Sequence, residues 1–350
     1  MLNNIDTDRA IHSFKTAFAC LLGYLLLKLT QFGTQPWLVI TVIVVMCAQI
    51  NVGSVIQKSY MRFLGTLVGS VFAFITLLLF GTNEIAFISC ICLSVLLFSY
   101  LATSDKPYSD AGTLGAVTTV MILIGQNPTL STAGIRTLEI SMGILIAALV
   151  SQFILPIHAR VHLRRNQAMT LRKLKDYYQL TLMSGASAPE MAGAEDIEEK
   201  IINLLVKQRK LAKEASQELL GKHFNVNAFK KSLHCEKQML RCVIFMRQFH
   251  KLSSTGEELL NHQLWLPQFN ADACAALMII ADQIEKPTIP AVAINIPAIC
   301  DIKKIVQTAS QQLDERDYLY ICNFICCAEL FLKHLEDLVV HKKLLVNKLS

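Results

Sequence analysis

Six apolar runs follow one another through residues 1–157, at about 11–30, 37–56, 63–81, 85–104, 110–126 and 135–157. Each approaches the roughly 17–25 residues that a helix needs to cross the hydrocarbon core of a bilayer. Lipid offers no water to the backbone N–H and C=O groups, so runs of this kind must close their hydrogen bonds internally, as α-helices do. The separators carry turn formers: Gly33 and Pro36, Gly81 to Asn83, Asp105 to Pro107, and Asn127 to Gly134. Connections this short place successive helices antiparallel. The fifth run is short and holds Gly112 and Gly115.

Charge is distributed to match. Residues 1–157 hold 7 of the 33 Lys and Arg and 6 of the 27 Asp and Glu; the remaining 26 and 21 lie in residues 158–350. The whole chain is 17% charged, with a mean hydropathy of +0.43, whereas soluble domains average about 25% charged residues. These proportions argue against disorder, a disulfide scaffold and a purely cytosolic enzyme. The eleven cysteines show no CxxC pairing and read as small buried hydrophobes. No cleavable leader is expected, because Asp6, Asp8 and Arg9 precede the first apolar run and no small-residue cleavage site closes it before Lys28.

Basic residues orient the spans. With the N-terminus in the cytoplasm, the inside receives Arg9, Lys15, Lys58, Arg62, Lys106, Arg160, Arg164 and Arg165, and the outside only Lys28 and Arg136. Both termini are expected in the cytoplasm. The fold class is therefore all-α: a polytopic membrane domain of six helices over 1–157 and a C-terminal cytoplasmic helical bundle over 158–350. In that second part helices are expected at about 158–183, 195–220, 224–252, 256–285, 298–314 and 316–347, with Pro287, Pro290 and Pro297 marking a linker. The six basic residues between His158 and Lys175 read as an anchor on anionic headgroups, in preference to a nucleic-acid site. The apolar run Tyr318–Leu332 holds Glu329, is too short to span, and reads as bundle core.

A faint repeat runs through the first part. At a fixed offset of 74 residues, Arg62 aligns with Arg136, Leu64 with Leu138, Gly69 with Gly143 and Ala73 with Ala147. Three spans per half is an odd number, so the halves would insert with opposite orientation, as in the inverted repeats of secondary transporters. Gly65, Gly69 and Ala73 share one helical face, as do Gly143, Ala147 and Ser151. Small residues four apart let helix backbones approach closely, so Gly65, Gly69 and Gly143 are expected to serve packing.

Ionisable groups inside the spans are costly and mark candidate pathways. They are Lys15, Arg62, Asp110, Arg136 and Glu139, with His12 and Gln49 as uncharged neighbours. Basic side chains near an interface can snorkel to headgroups, and Arg136 and Glu139, three apart, can neutralise each other. Against that stands an excess of cations: Lys15, Arg62 and Arg136 can meet an anion in transit, with Glu139 and Asp110 as proton carriers.

Four blocks, in order, resemble a known family. They are Lys15-Thr16-Ala17 with Ala19; Trp37 with Thr41; Gln49 and Ser54 followed by Arg62-x-x-Gly65-Thr66-x-x-Gly69; and Arg136-x-Leu138-Glu139-x-x-x-Gly143 with Ala147, closing on Pro156. Over residues 10–157 the chain resembles the fusaric acid resistance/aromatic acid exporter superfamily of bacterial inner-membrane proteins, related at a distance to plant aluminium-activated malate channels. The resemblance implies a six-helix membrane unit followed by a cytoplasmic helical domain. It also implies proton-driven export of organic anions such as aromatic carboxylates, sometimes with a periplasmic adaptor protein. Many members carry two such units, whereas this chain has one, so a homodimer is expected. Membrane lipids are the other expected partner, and no nucleic acid, cofactor or metal is.

Two other classes stay open: a passive organic-anion channel gated by the cytoplasmic domain, and a non-transporting membrane scaffold. Catalysis finds no support, since no phosphate-binding loop or nucleophile–base pair is present. His158 and His162 have an i, i+4 metal-pair spacing but no third ligand, and His223, His234 and Cys235 fall in an amphipathic region where core or surface roles are commoner.

Overall fold

The structure, a computed structural model, describes residues 7–30, 36–47, 51–80, 83–104, 108–125, 129–182, 188–218, 224–250, 266–287, 294, 296–297 and 314–346. Every regular element among them is an α-helix. The chain forms two compact units, Met1–Ala159 with Gln217–Leu220, and Arg160–Ser216 with Gly221–Ser350. Gln49, Lys106, His223, the helix expected at 298–314 and the turns at Gly33, Gly81 and Asn127 lie outside the described residues.

The first unit holds α1 (Thr7–Thr30), α2 (Trp37–Cys47), α3 (Val52–Phe80), α4 (Glu84–Ala102), α5 (Ser109–Leu123) and α6 (Leu130–Phe153). Helices α1, α3, α4 and α6 are long and apolar enough to cross a membrane, while α2 and α5, at 11 and 15 residues, are shorter. The second and third expected spans are thereby redrawn. Residues 52–56 belong to α3, which starts eleven residues before the expected 63. The break before α3 is held by the Val52 amide, which donates to the Ile157 carbonyl at 3.1 Å, and by the Ser54 hydroxyl, which donates to the Asn51 carbonyl. α4 begins where the Asn83 side chain accepts from the Ile85 and Ala86 amides. α6 ends at Phe153, and two residues on Leu155, with a φ of 44°, turns the chain out of the helical region just before Pro156.

Polarity in this unit is inside out. α4 buries Ser94 and Phe98 and exposes Ile85, Ile88, Leu96 and Tyr100; α3 buries Ser59, Thr66, Ser70 and Thr76 and exposes Leu78 and Leu79. Exposed leucine costs little in hydrocarbon, whereas a hydroxyl there needs a partner. Backbone carbonyls of the same or a neighbouring helix supply such partners, although the Ser59 hydroxyl has none among the described residues. Thr76 donates to the Phe72 carbonyl, and Thr119 to the carbonyls of Gly69 and Gly115 at 3.1 and 2.9 Å.

The 74-residue offset lays α1 over α4, α2 over α5 and α3 over α6, and the packing repeats with it. α3 packs on α5 and its counterpart α6 on α2; α1 packs on α2 and α4 on α5; α1 touches α6 and α3 touches α4. α3 and α6 meet at the centre, where the hydroxyls of Ser70 and Thr137 share a 2.8 Å hydrogen bond. Val52 meets Ile157 while Ser70 meets Thr137, so the two helices run antiparallel. This pattern of contacts is the one expected of two halves related by a local two-fold with inverted direction.

Glycine makes these crossings possible. A Cβ on Gly65 would lie 2.4 Å from the Ala111 carbonyl oxygen, one on Gly69 2.5 Å from that of Gly115, and one on Gly143 2.7 Å from that of Leu38. α5 is equally constrained on its other side, since a Cβ on Gly115 would enter the Phe98 ring at 2.5 Å.

The second unit contains α7 (Ala159–Leu182), α8 (Ala188–Ala215), α9 (Val226–His250), α10 (Leu266–Glu285) and α11 (Glu315–Val346). Its core includes Leu171, Leu174, Tyr177, Tyr178, Ile201, Met239, Leu277, Phe331 and Leu335. Tyr178 stacks on Phe331, with ring centroids 5.2 Å apart, and donates to Asn270 at 2.8 Å. A polar cluster is sealed among α7, α8 and α9. Gln208 Nε2 donates to Glu236 Oε2 at 2.6 Å, and Gln167 Nε2 to Glu236 Oε1 at 3.4 Å. Burial pushes the Glu236 carboxyl up to about 7, the donors from Gln208, Gln167 and Ser232 restraining the rise.

Two expectations about this unit change. α11 is longer than the apolar run Tyr318–Leu332, and over Glu315–His341 it is long and apolar enough to cross a membrane, so length does not exclude a span. Its place in the core rests on burial: Phe331, Leu335 and Leu338 are buried among the other helices of the unit. The basic stretch of α7 is only partly available to headgroups. Arg172 pairs with Asp282 and Glu285 at 2.7 and 2.6 Å, and Lys173 and Lys175 pair with Asp176.

The glycine crossings give a direct test. Gly69→Leu should lower the melting temperature of the detergent-solubilised chain sharply, because the backbone it meets cannot yield. Gly134→Leu should leave it within about 2 °C, since no neighbour lies within 4 Å of a Cβ there.

Candidate functional site

The five candidate residues Lys15, Arg62, Asp110, Arg136 and Glu139 do not converge on one point. Lys15 sits in the third turn of α1, fully buried, and its ammonium donates to the Ser151 carbonyl of α6 at 3.1 Å. Among the described residues no carboxylate pairs with it. Arg62 is partly buried in α3, with a buried Nε that has no acceptor and no carboxylate partner among the described residues. Asp110 is exposed in the first turn of α5, where a negative charge suits the helix dipole.

Arg136 lies at the other end of α6 from Lys15. Fifteen residues separate it from Ser151, about 22 Å along a helix. Its guanidinium donates to the Met121 carbonyl at the end of α5, covers Gly125, and stands 5.8 Å from the ring centroid of Trp37. The carbonyl and the ring face are both electron-rich neutral groups that suit a cation. Glu139 is buried one turn further along α6, within electrostatic range of Arg136. In the repeat Glu139 occupies the position of Gly65, and Arg136 that of Arg62.

Between Lys15 and Arg136 lies an apolar layer built from Ala19 of α1, Leu38, Val42, Val45 and Met46 of α2, and Ile140, Ile144, Ala147 and Val150 of α6. Val42, Val45 and Met46 have no exposed surface. The two cations therefore cap a closed hydrophobic seam. Sequence pattern located both charges but not their partners: a backbone carbonyl leaves no trace in composition, and Trp37 sits 99 residues from Arg136.

The second unit carries a separate basic groove of about 530 Å³ between the end of α8 and the start of α9. Arg209, Lys213, Lys230 and Lys237 rim it, over a floor that includes Phe229 and Leu233. His158, read from sequence as a headgroup residue, lies 3.4 Å from the Glu218 carboxylate.

These features belong to a recognisable lineage. The fusaric acid resistance protein family matches residues 9–263. The chain belongs to that family. The match continues past the four sequence blocks, through α7, α8 and α9, whose amphipathic periodicity carries no short motif of its own. The inner membrane protein YeeA of Escherichia coli (strain K12) is 28% identical over 213 residues, 60% of this chain and 58% of that protein. The chain thus spans somewhat over half the length of this curated relative. Together with the apolar helices, the family makes this a multi-pass membrane protein of a transport family.

Trp37 reports on the surroundings of Arg136. Arg136→Gln, on a Trp265→Phe background, should shift or quench Trp37 emission and destabilise the chain by about 1–2 kcal/mol, the loss of a charged hydrogen bond and a ring contact. Unchanged emission and melting temperature would show that the guanidinium does not rest there.

Proposed function

We propose that the membrane unit exports small organic anions of aromatic-carboxylate type from a bacterial cytoplasm, driven by the proton gradient. The observation that carries this reading is Lys15. A fully buried ammonium costs several kcal/mol unless a counter-charge or good hydrogen bonds compensate it, and Ser151 supplies one neutral carbonyl. Arg62 adds a second cation on the same side of the α3–α6 crossing, with no acid to neutralise it among the described residues. An organic anion supplies the missing charge through its carboxylate, and the apolar seam accepts its ring.

The scheme uses six crossings with both termini in the cytoplasm, α2 and α5 serving as short helices whose flanking turns complete the passage. Lys15 and Arg62 then face the inside and Arg136 the outside. The inverted two-fold supplies a rationale for alternating access: exchanging the conformations of the two halves swaps the opened end while α3 and α6 stay in contact. Glu139, beside Arg136, is the proton carrier, since its protonation changes the charge that an anion meets at the outer end. Asp110, exposed at a helix start, is the weaker partner in that role. A second copy of the chain supplies the second membrane unit, and a periplasmic adaptor extends the route outward.

The test is efflux of a labelled aromatic carboxylate from proteoliposomes under an imposed pH gradient. Wild type should export. Lys15→Met, which keeps the side chain's bulk, should fold and lose at least about 90% of the flux, a change of about 1.4 kcal/mol or more. Glu139→Gln should export without responding to the gradient. Wild-type flux from Lys15→Met would sink the anion-pairing role, and gradient-independent flux in wild type would identify a channel.

A further inference from the structure

We propose that the second unit binds a zinc-type transition-metal ion through Cys235 of α9 and His334 and Asp337 of α11. One donor atom from each of the three lies within 4.8 Å of the other two. Tetrahedral zinc, with bonds of about 2.3 Å to sulfur and about 2.0–2.1 Å to nitrogen or oxygen, sets its ligand atoms about 3.3–3.6 Å apart. The cluster is therefore within about 1.5 Å of ligand geometry, a distance that rotations of three side chains cover.

The residues are arranged by packing. α9 and α11 lie side by side over much of their lengths, and the core positions Phe331, Leu335 and Leu338 fix the register of α11. His334 and Asp337, three residues apart, then share the adjacent stripe and face Cys235. The thiol is buried, with 3% of its residue surface exposed, and the other two residues are half-buried. A second observation is independent of the distances: Nδ1 of His334 is buried and has no hydrogen-bond partner. An imidazole nitrogen left in that state costs about 1–3 kcal/mol, and metal ligation, or an outer hydrogen bond that ligation organises, repays it. The His234 ring stands edge-on to His334, with centroids 6.1 Å apart, and water would supply the fourth ligand.

The donor set selects the ion. Thiolate with imidazole and carboxylate suits zinc, cobalt and their neighbours and disfavours magnesium and calcium. Ligation releases the Cys235 thiol proton to solvent as the sulfur–metal bond forms. Bound there, the ion clamps α11 to α9. Sequence alone hides the site because His334 lies 99 residues beyond Cys235.

Cobalt(II) is the probe, titrated into the purified full-length chain in detergent. Wild type should take up one equivalent, with a thiolate-to-cobalt absorption band in the near ultraviolet and visible d–d bands of tetrahedral intensity, both displaced by zinc. Cys235→Ser should lose the near-ultraviolet band. His334→Gln and Asp337→Asn should each weaken binding at least about tenfold, with wild-type circular dichroism, and zinc should raise the melting temperature of wild type only. Cys242, Cys326 and Cys327 offer competing thiols, and the variants separate them from the proposed site. Absence of stoichiometric binding would overturn the proposal. So would a band that survives His334→Gln and Asp337→Asn with unchanged affinity, which also decides the matter should Cys235→Ser fail to fold.

Discussion

Everything in the membrane unit depends on backbone meeting backbone at three glycines. Gly65 and Gly69 bring α3 against the carbonyls of Ala111 and Gly115, and Gly143 brings α6 against that of Leu38. In lipid no hydrophobic effect draws helices together, so close van der Waals approach and interhelical hydrogen bonds must do so. Thr119 supplies a hydrogen bond at the α3–α5 crossing, and the Ser70–Thr137 pair supplies one where α3 meets α6. The short helices α2 and α5 are held because α6 and α3 can come this near.

The cations follow from that frame. With α3 and α6 antiparallel, the equivalent residues Arg62 and Arg136 fall on opposite sides of the crossing, about 13 Å apart along its axis. They are not equally placed. Arg136 rests between a carbonyl and an indole ring, with a carboxylate nearby, whereas Arg62 and Lys15 have no acid beside them among the described residues. The unit is thus electrostatically asymmetric within a symmetric fold. One end is compensated, and the other is positive.

How much of this was legible beforehand depends on the length scale of each signal. Apolar runs mark α1, α4 and α6 well, because a bilayer-length run is hard to produce by chance. The same signal misplaces the start of α3, since Val52, Val55 and Ile56 read as a continuation of the preceding apolar run and the break before α3 is held by a hydrogen bond to Ile157, about a hundred residues away. The glycine pattern gives the faces of α3 and α6 but not their partners. In the second unit, periodicity finds α7 to α9 and α11, yet Arg172 looks like a membrane anchor until Asp282 and Glu285 are seen beside it. Residues joined across helices far apart in sequence, such as Cys235 with His334, lie beyond any local pattern.

The account stands or falls on whether an organic anion completes the charge around Lys15. The direct measurement is the melting temperature of the purified chain against rising concentrations of an aromatic carboxylate, with its neutral amide as control. Wild type should show a rise that grows with the logarithm of concentration above the dissociation constant, reaching about 2.7 kcal/mol in stability at a hundred times that constant. Lys15→Met should show none. A wild-type curve that does not respond, or one that Lys15→Met reproduces, would contradict it.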